Sequence, residues 1–144
     1  MTDQDRRDIE ADCRSLFIAY SHALDDADPQ RVASLYAPDG VWARPGEDIR
    51  GRAAIAAAIG ARDRRAVTRH LLSNIDIRVI DADHAEGRAY YIVYRDDGAT
   101  RVDFPRPVPA SPMRIGDYLA TFIRTAEGWR LARASPRRVF DLGA

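Results

Sequence analysis

The stretch VTRHLLSNIDIRVI, residues 67–80, decides how this chain is read. Ile75, Ile77 and Val79 alternate with polar residues, the period of a half-buried strand. His70, Leu72 and Asn74 hold the opposite parity. Both sets can face inward only if one extra residue intervenes near residues 72–75, and a β-bulge supplies it. Bulges often re-aim side chains beside active sites, which makes His70 and Asn74 candidate pocket residues. The alternative is that both simply face solvent.

Outward from this strand, the pattern separates into helices before it and strands after it. Residues Asp3 to Leu24 read as one amphipathic helix, with Ile9, Cys13, Leu16, Phe17, Tyr20 and Leu24 at spacings of 3 and 4. Asp28 is a good N-cap and Pro29 a good first residue for a short second helix, with Val32, Leu35 and Tyr36 on one face. The run Pro38-Asp39-Gly40 ends it, and Val41-Trp42 begins a strand. Gly51 opens a third, alanine-rich helix from Arg52 to about Ala61. After residues 67–80 come further strands at His84–Arg95, Met113–Thr125 and Trp129–Phe140. A loop with prolines at 105, 107, 109 and 112, about Asp96 to Pro112, precedes the third of these four strands. It is too long for a hairpin connection, so it should border a pocket mouth or a neighbouring subunit. Helices first and antiparallel strands afterwards imply an α+β fold with the helices on one sheet face. No repeat or second domain is apparent, and residues 1–144 read as one domain.

Composition removes several classes of chemistry. The formal net charge is zero, so no basic field attracts nucleic acid or an anionic membrane. All 22 basic residues are arginine. Without lysine there is no Schiff base, no pyridoxal phosphate linkage and no phosphate-loop lysine. One cysteine, Cys13, permits neither an internal disulfide nor a thiolate zinc cluster. Histidines at 22, 70 and 84 are too scattered to suggest a metal site, so no metal or cofactor is expected. The polar start and the lack of a long apolar run make the cytoplasm the expected location.

Five segments then carry a resemblance: Tyr20-Ser-His-Ala-Leu-Asp25, Leu35-Tyr-Ala-Pro-Asp39-Gly-Val-Trp42, Gly51-Arg-Ala-Ala-Ile55, Arg69-His70-Leu-Leu-Ser-Asn74, and Gly128-Trp129-Arg130-Leu131 with Arg133. In this order and spacing the chain resembles the SnoaL-like branch of the nuclear transport factor 2-like superfamily over about residues 5–140. That branch includes polyketide cyclases, scytalone dehydratase, bile-acid 7α-dehydratase and hexachlorocyclohexane dehydrochlorinase. The resemblance implies a cystatin-like cone, a strongly curved sheet wrapped on three N-terminal helices around a central pocket. It also implies a homodimer or homotrimer formed through the outer sheet face. In the dehydratase and dehydrochlorinase members an aspartate ending the first helix pairs with a histidine on the first long strand. Asp25 and His70 match those positions, and Tyr20 matches the tyrosine of bile-acid 7α-dehydratase. Arg133 is the nearest match to a last-strand arginine. Scytalone dehydratase has a second pocket histidine where this chain has Tyr90 and Tyr91, so that enzyme's substrate is not implied.

The candidate catalytic set is therefore His70, Asp25, Tyr20 and Arg133, with Asn74, Tyr91, Trp42 and Tyr118 expected to contact substrate. Imidazole can accept a proton near neutral pH, and a carboxylate on its other nitrogen fixes the tautomer and stabilises the imidazolium. Tyr20 could instead be plain core, and the pair a structural hydrogen bond. Arg133 shares parity with Trp129 and Leu131, so it faces inward if they do; its alternative is a structural ion pair. Ala85, Gly87 and Ala89 share one strand face and either leave room for a ligand or accept a packed helix. His22 and His84 read as surface. The expected activity is cofactor-independent lyase or isomerase chemistry (dehydration, cyclisation or double-bond migration) on a small, largely apolar, polyketide-, steroid- or terpenoid-like molecule. The alternatives are a non-catalytic binding protein and a structural partner like the β-subunit of a ring-hydroxylating dioxygenase.

Overall fold

The computed structural model describes residues 1–98, 104–106 and 109–141. Three helices come first, α1 (Asp3–Asp25), α2 (Pro29–Ser34) and α3 (Arg52–Gly60), interleaved with β1 (Tyr36–Arg44) and β2 (Glu47–Arg50). Four long strands follow: β3 (Val67–Val79), β4 (His84–Asp96), β5 (Arg114–Thr125) and β6 (Gly128–Asp141). All six strands form one curved sheet in the order β2-β1-β6-β5-β4-β3. Its pairs are antiparallel except β1 with β6, which is parallel. No helix among the described residues is long and apolar enough to cross a membrane.

Local chemistry explains the helix limits. Thr2 caps α1 and exchanges hydrogen bonds with Asp5, a capping box. The Asp28 side chain accepts from the Arg31 amide, with Pro29 as the first residue of α2. α2 ends at Ser34, so Tyr36 belongs to β1 and not to the helix assigned to it from sequence. The apolar stripe of α1 is buried as its spacing requires: Ile9, Cys13, Leu16, Phe17, Tyr20 and Leu24 are all 8% exposed or less. Each such side chain contributes roughly 1.5–3 kcal/mol by leaving water.

The small-residue face of β4 does not create the cavity. A Cβ on Gly87 would lie 2.7 Å from the Phe17 ring, 2.8 Å from Phe122 and 2.9 Å from Ile77. Ala85 and Ala89 are likewise buried. Small residues there admit two aromatic rings, which meet edge to face with centroids 5.4 Å apart. The open space lies further along the sheet, towards the β3 start and the β4 end.

Among the register shifts of the sheet, one in β3 and one in β6 decide which residues face the interior beside the cavity. In β3 the register jumps between Ser73 and Asp76, so Asn74 and Ile75 oppose one residue of β4. Asn74 takes φ of +52°, a left-handed conformation that asparagine tolerates better than most residues. In β6 the register jumps between Leu131 and Arg133, so Ala132 is the extra residue. Inward-facing residues therefore change from Trp129 and Leu131 to Ala134 and Pro136.

Gly87→Ala should test the packing of Phe17 and Phe122. Overpacked cores typically lose about 1–3 kcal/mol, so a loss of that size is expected in urea unfolding, with no change in the cavity residues.

Candidate functional site

Asp25 is the last residue of α1, and its side chain crosses to β3. The Asp25 Oδ1 atom lies 2.6 Å from His70 Nδ1 and accepts the Thr68 hydroxyl at 2.8 Å; Oδ2 accepts the His70 backbone N–H at 2.9 Å. Both side chains of the pair are 10% exposed. Burial by itself raises the Asp25 pKa, but the His70 ring and backbone hydrogen bonds, the His70 charge and Thr68 outweigh it. The carboxyl is therefore held below its ordinary 3.8. A carboxylate can only accept, so it draws the proton to Nδ1 and leaves the Nε2 lone pair open. His70 stands between two hollows. One is the cone interior; the other is a groove bordered by Ile18, Ser21, His22 and Leu72.

The interior cavity has a volume of about 310 Å³. Tyr20, Trp42, Tyr91, Tyr118 and His70 line it, as do Arg44, Arg62, Arg95, Arg114 and Arg138. The aromatic wall is built by contact: Tyr20 and Tyr118 meet edge to face at 5.7 Å, and Tyr91 lies 4.6 Å from Tyr118. Burial raises the pKa of Tyr20, Tyr91 and Tyr118, the last well above its ordinary value. The phenols thus stay protonated at neutral pH and can donate. Behind them, burial also holds Tyr36 well above its usual range.

Two sequence-predicted residues lie elsewhere. Arg133 is on the outer face, where Asp48 accepts from its Nη1 and Nη2, both at 3.0 Å. The cause is the Ala132 bulge, which ends the parity shared with Trp129 and Leu131. Arg138 is the β6 arginine that lines the cavity. Asn74 is exposed, because it is itself the bulge residue. His22 and His84 are exposed, and His84 pairs with Asp81 at 2.9 Å. The sequence reading missed Arg44, Arg62, Arg95 and Arg114. Their only signal was the exclusive use of arginine, which says nothing about position.

Residues 99–103 and 107–108 of the proline-rich loop lie outside the described residues. Its Phe104, Pro105, Arg106 and Pro109 border a hollow of about 450 Å³ together with Val67–Arg69 and Tyr94–Asp96, next to the cavity-lining Thr68 and Arg95. Arg106 ties the loop down by donating to Asp96 and to the Arg65 carbonyl, both at 3.2 Å.

Replacing Asp25 with alanine would leave the His70 N–H and ring without their acceptor. Hydrogen bonds to charged groups are worth about 1.5–3 kcal/mol, and a stability loss in that range is expected at pH 7. Because the folded pKa is depressed, this contribution is present above the ordinary carboxylate pKa and is lost as pH falls through the folded value. The difference between wild type and Asp25→Ala, measured by urea unfolding, should shrink progressively below about pH 4.

No curated protein sequence matches this chain. Solved structures do. An NTF2-like protein with a cystatin-like fold from Novosphingobium aromaticivorans is 28% identical, with a TM-score of 0.71 over 98% of this chain and 85% of that one. A candidate scytalone dehydratase from the same organism is 24% identical, TM-score 0.74, over 100% and 93% of the two chains. The hexachlorocyclohexane dehydrochlorinase of Novosphingobium barchaimii is 16% identical, TM-score 0.77, over 96% and 92%. At these identities the last two speak to the fold alone. The SnoaL-like domain profile matches residues 5–135, nearly the whole sequence, and the chain belongs to that family.

Proposed function

We propose that this protein is a cofactor-independent lyase or isomerase that uses His70 as its general base. The observation that carries the reading is the Asp25–His70 contact of 2.6 Å at the wall of a 310 Å³ cavity. His70 Nε2 takes a proton from a substrate carbon. The C–H electron pair then forms a carbon–carbon double bond as a hydroxyl or other group departs with its own pair, or it delocalises as an enolate. The proton returns from Nε2 to the departing oxygen in a dehydration, or to another carbon in a double-bond migration. Asp25 keeps Nδ1 protonated and stabilises the imidazolium. Protonated Tyr20, with the cavity arginines, donates to the oxyanion or departing oxygen.

The SnoaL-like family and the dehydratase and dehydrochlorinase folds among its structural neighbours support this class. The polyketide-, steroid- or terpenoid-like substrate and the cyclase subtype belong to the same reading. So does assembly into a homodimer or homotrimer through the outer sheet face, where Leu71, Tyr90, Ile92 and Leu119 are exposed.

The test is a compound screen in D2O, scored by mass spectrometry for deuterium uptake or loss of water. His70→Ala should reduce turnover of any hit on the order of a hundred- to ten-thousand-fold, the usual contribution of a positioned base, while the fold is retained. Asp25→Asn should also slow it. Arg133→Gln should leave it unchanged, since that arginine faces the outside. Turnover indifferent to both His70→Ala and Asp25→Asn would reduce the site to a binding pocket. Light scattering reads the assembly, and a monomer at micromolar concentration would contradict it.

A further inference from the structure

The cavity beside His70 holds more positive charge than one oxyanion or departing oxygen requires. Five guanidiniums line it, from Arg44, Arg62, Arg95, Arg114 and Arg138, and none of the lining residues is acidic. Elsewhere this electrically neutral chain sets carboxylates against its arginines: Asp26 with Arg31, Glu127 with Arg52, Asp48 with Arg133, and Asp117 with both Arg88 and Arg137. In the cavity, Arg95 leans on Asp97 at 2.6 Å, and Arg44 reaches Glu47 only at 3.9 Å. Arg62 and Arg114 form no ion pair with any described residue; Arg114 is half-buried and Arg62 is exposed. The surrounding protein lowers both pKa values, and neighbouring arginines lower them further. Like charges gathered around one cavity without an anion repel one another, and folded chains normally pair them.

A second observation comes from Trp42, which lines the same cavity and is 5% exposed. The guanidiniums of Arg44 and Arg62 lie over its ring, 5.1 and 5.2 Å from the centroid. Its buried indole N–H has no acceptor. The guanidiniums of Arg44, Arg62 and Arg114 therefore gather around the side of the cavity formed by β1, the segment after α3, and the start of β5. Tyr91 and Tyr118 supply flat apolar surface beside them. The volume is at the lower end of the roughly 300–1,000 Å³ of ligand sites.

We infer that the cavity binds a small aromatic or otherwise planar carboxylate, its carboxylate held by Arg62 and Arg114 and its ring lying against Tyr91 and Tyr118. The inference rests on the reading that the substrate reacts beside His70, and it names the substrate's fixed charge. An arginine fork matches a carboxylate in two parallel hydrogen bonds. Holding a non-reacting carboxylate at one end orients the carbon to be deprotonated at the other, and so converts binding energy into alignment.

Calorimetric titration of the full chain with 2-naphthoate and with the isosteric neutral 2-naphthamide tests this directly. Wild type should bind the carboxylate at least tenfold more tightly than the amide. Arg62→Gln and Arg114→Gln should each weaken naphthoate binding at least fivefold, and the double variant should lose the preference. Arg114→Gln removes like-charge repulsion and should not melt below wild type; Arg62→Gln also gives up its contact with the Trp42 ring, so its retained fold is checked by circular dichroism. Arg133→Gln should bind as wild type does. His70→Ala should keep the carboxylate preference, because the clamp does not use the base. Equal binding of acid and amide by wild type, or no naphthoate binding at millimolar concentration, overturns the inference without any variant. A preference that survives in the double variant overturns the assignment to these two arginines. A preference intact alongside turnover indifferent to His70→Ala would remove only the catalytic reading. His70-dependent turnover without the preference would remove only the clamp.

Discussion

The geometry proposed for the base depends on one carboxylate at the wrong end of a helix. Asp25 closes α1, where the macrodipole disfavours negative charge by about 0.3–1 kcal/mol. Three donors from β3 offset that cost: the Thr68 hydroxyl, the His70 N–H and the His70 ring. The same three bonds tie the end of the helix to the sheet. They fix the histidine's tautomer, its position, and the wall of the cavity in one arrangement.

The helix can reach that point because its apolar stripe is fully used. Phe17 sits in the gap that Gly87 leaves in β4, and Tyr20 packs edge to face against Tyr36 and Tyr118. This seats α1 at a fixed height on the curved sheet. Close packing below closes the narrow end of the cone. The wide end stays open because long polar side chains, chiefly arginines, project into it and cannot fill it densely. The molecule thus separates a closely packed half that holds it together from a half that encloses the arginine-lined cavity.

That division has an electrostatic consequence. The chain contains 22 acidic and 22 basic residues, yet the cavity lining contains only the basic kind. Like charge gathered in one cavity lowers stability where it lacks a partner, as at Arg62 and Arg114 among the described residues, and binding sites commonly carry such a cost because the ligand offsets it. Raised phenol pKa values act in the same direction, since they keep Tyr20 and Tyr118 as neutral donors. Acceptors in the cavity are consequently scarce, and the His70 ring, with Nδ1 taken by Asp25, supplies one at Nε2.

The chain's resemblance to a family pointed to Asp25 and His70 as a pair; the sequence by itself determined the helices and the long strands. Each depends on local signals: the 3–4 spacing of Ile9 to Leu24, the Asp28-Pro29 cap, the alternation of Ile75, Ile77 and Val79. It even located the β3 bulge, because a parity conflict within one strand is visible in a string of residues. The bulge in β6 left no such trace. Ala132 is extra only relative to Thr121 and Phe122 on the neighbouring strand, so the orientation of Arg133 and Arg138 was decided by pairing across the sheet. The same holds for Gly87, whose vacancy could be a cavity or a socket until Phe17 occupies it. Nor could the arginine cluster be read in advance, since Arg44, Arg62, Arg95, Arg114 and Arg138 come from separate segments. Periodicity records which face of an element a residue occupies. What stands opposite that face is fixed only when the chain closes on itself, and that is what placed these arginines around one cavity.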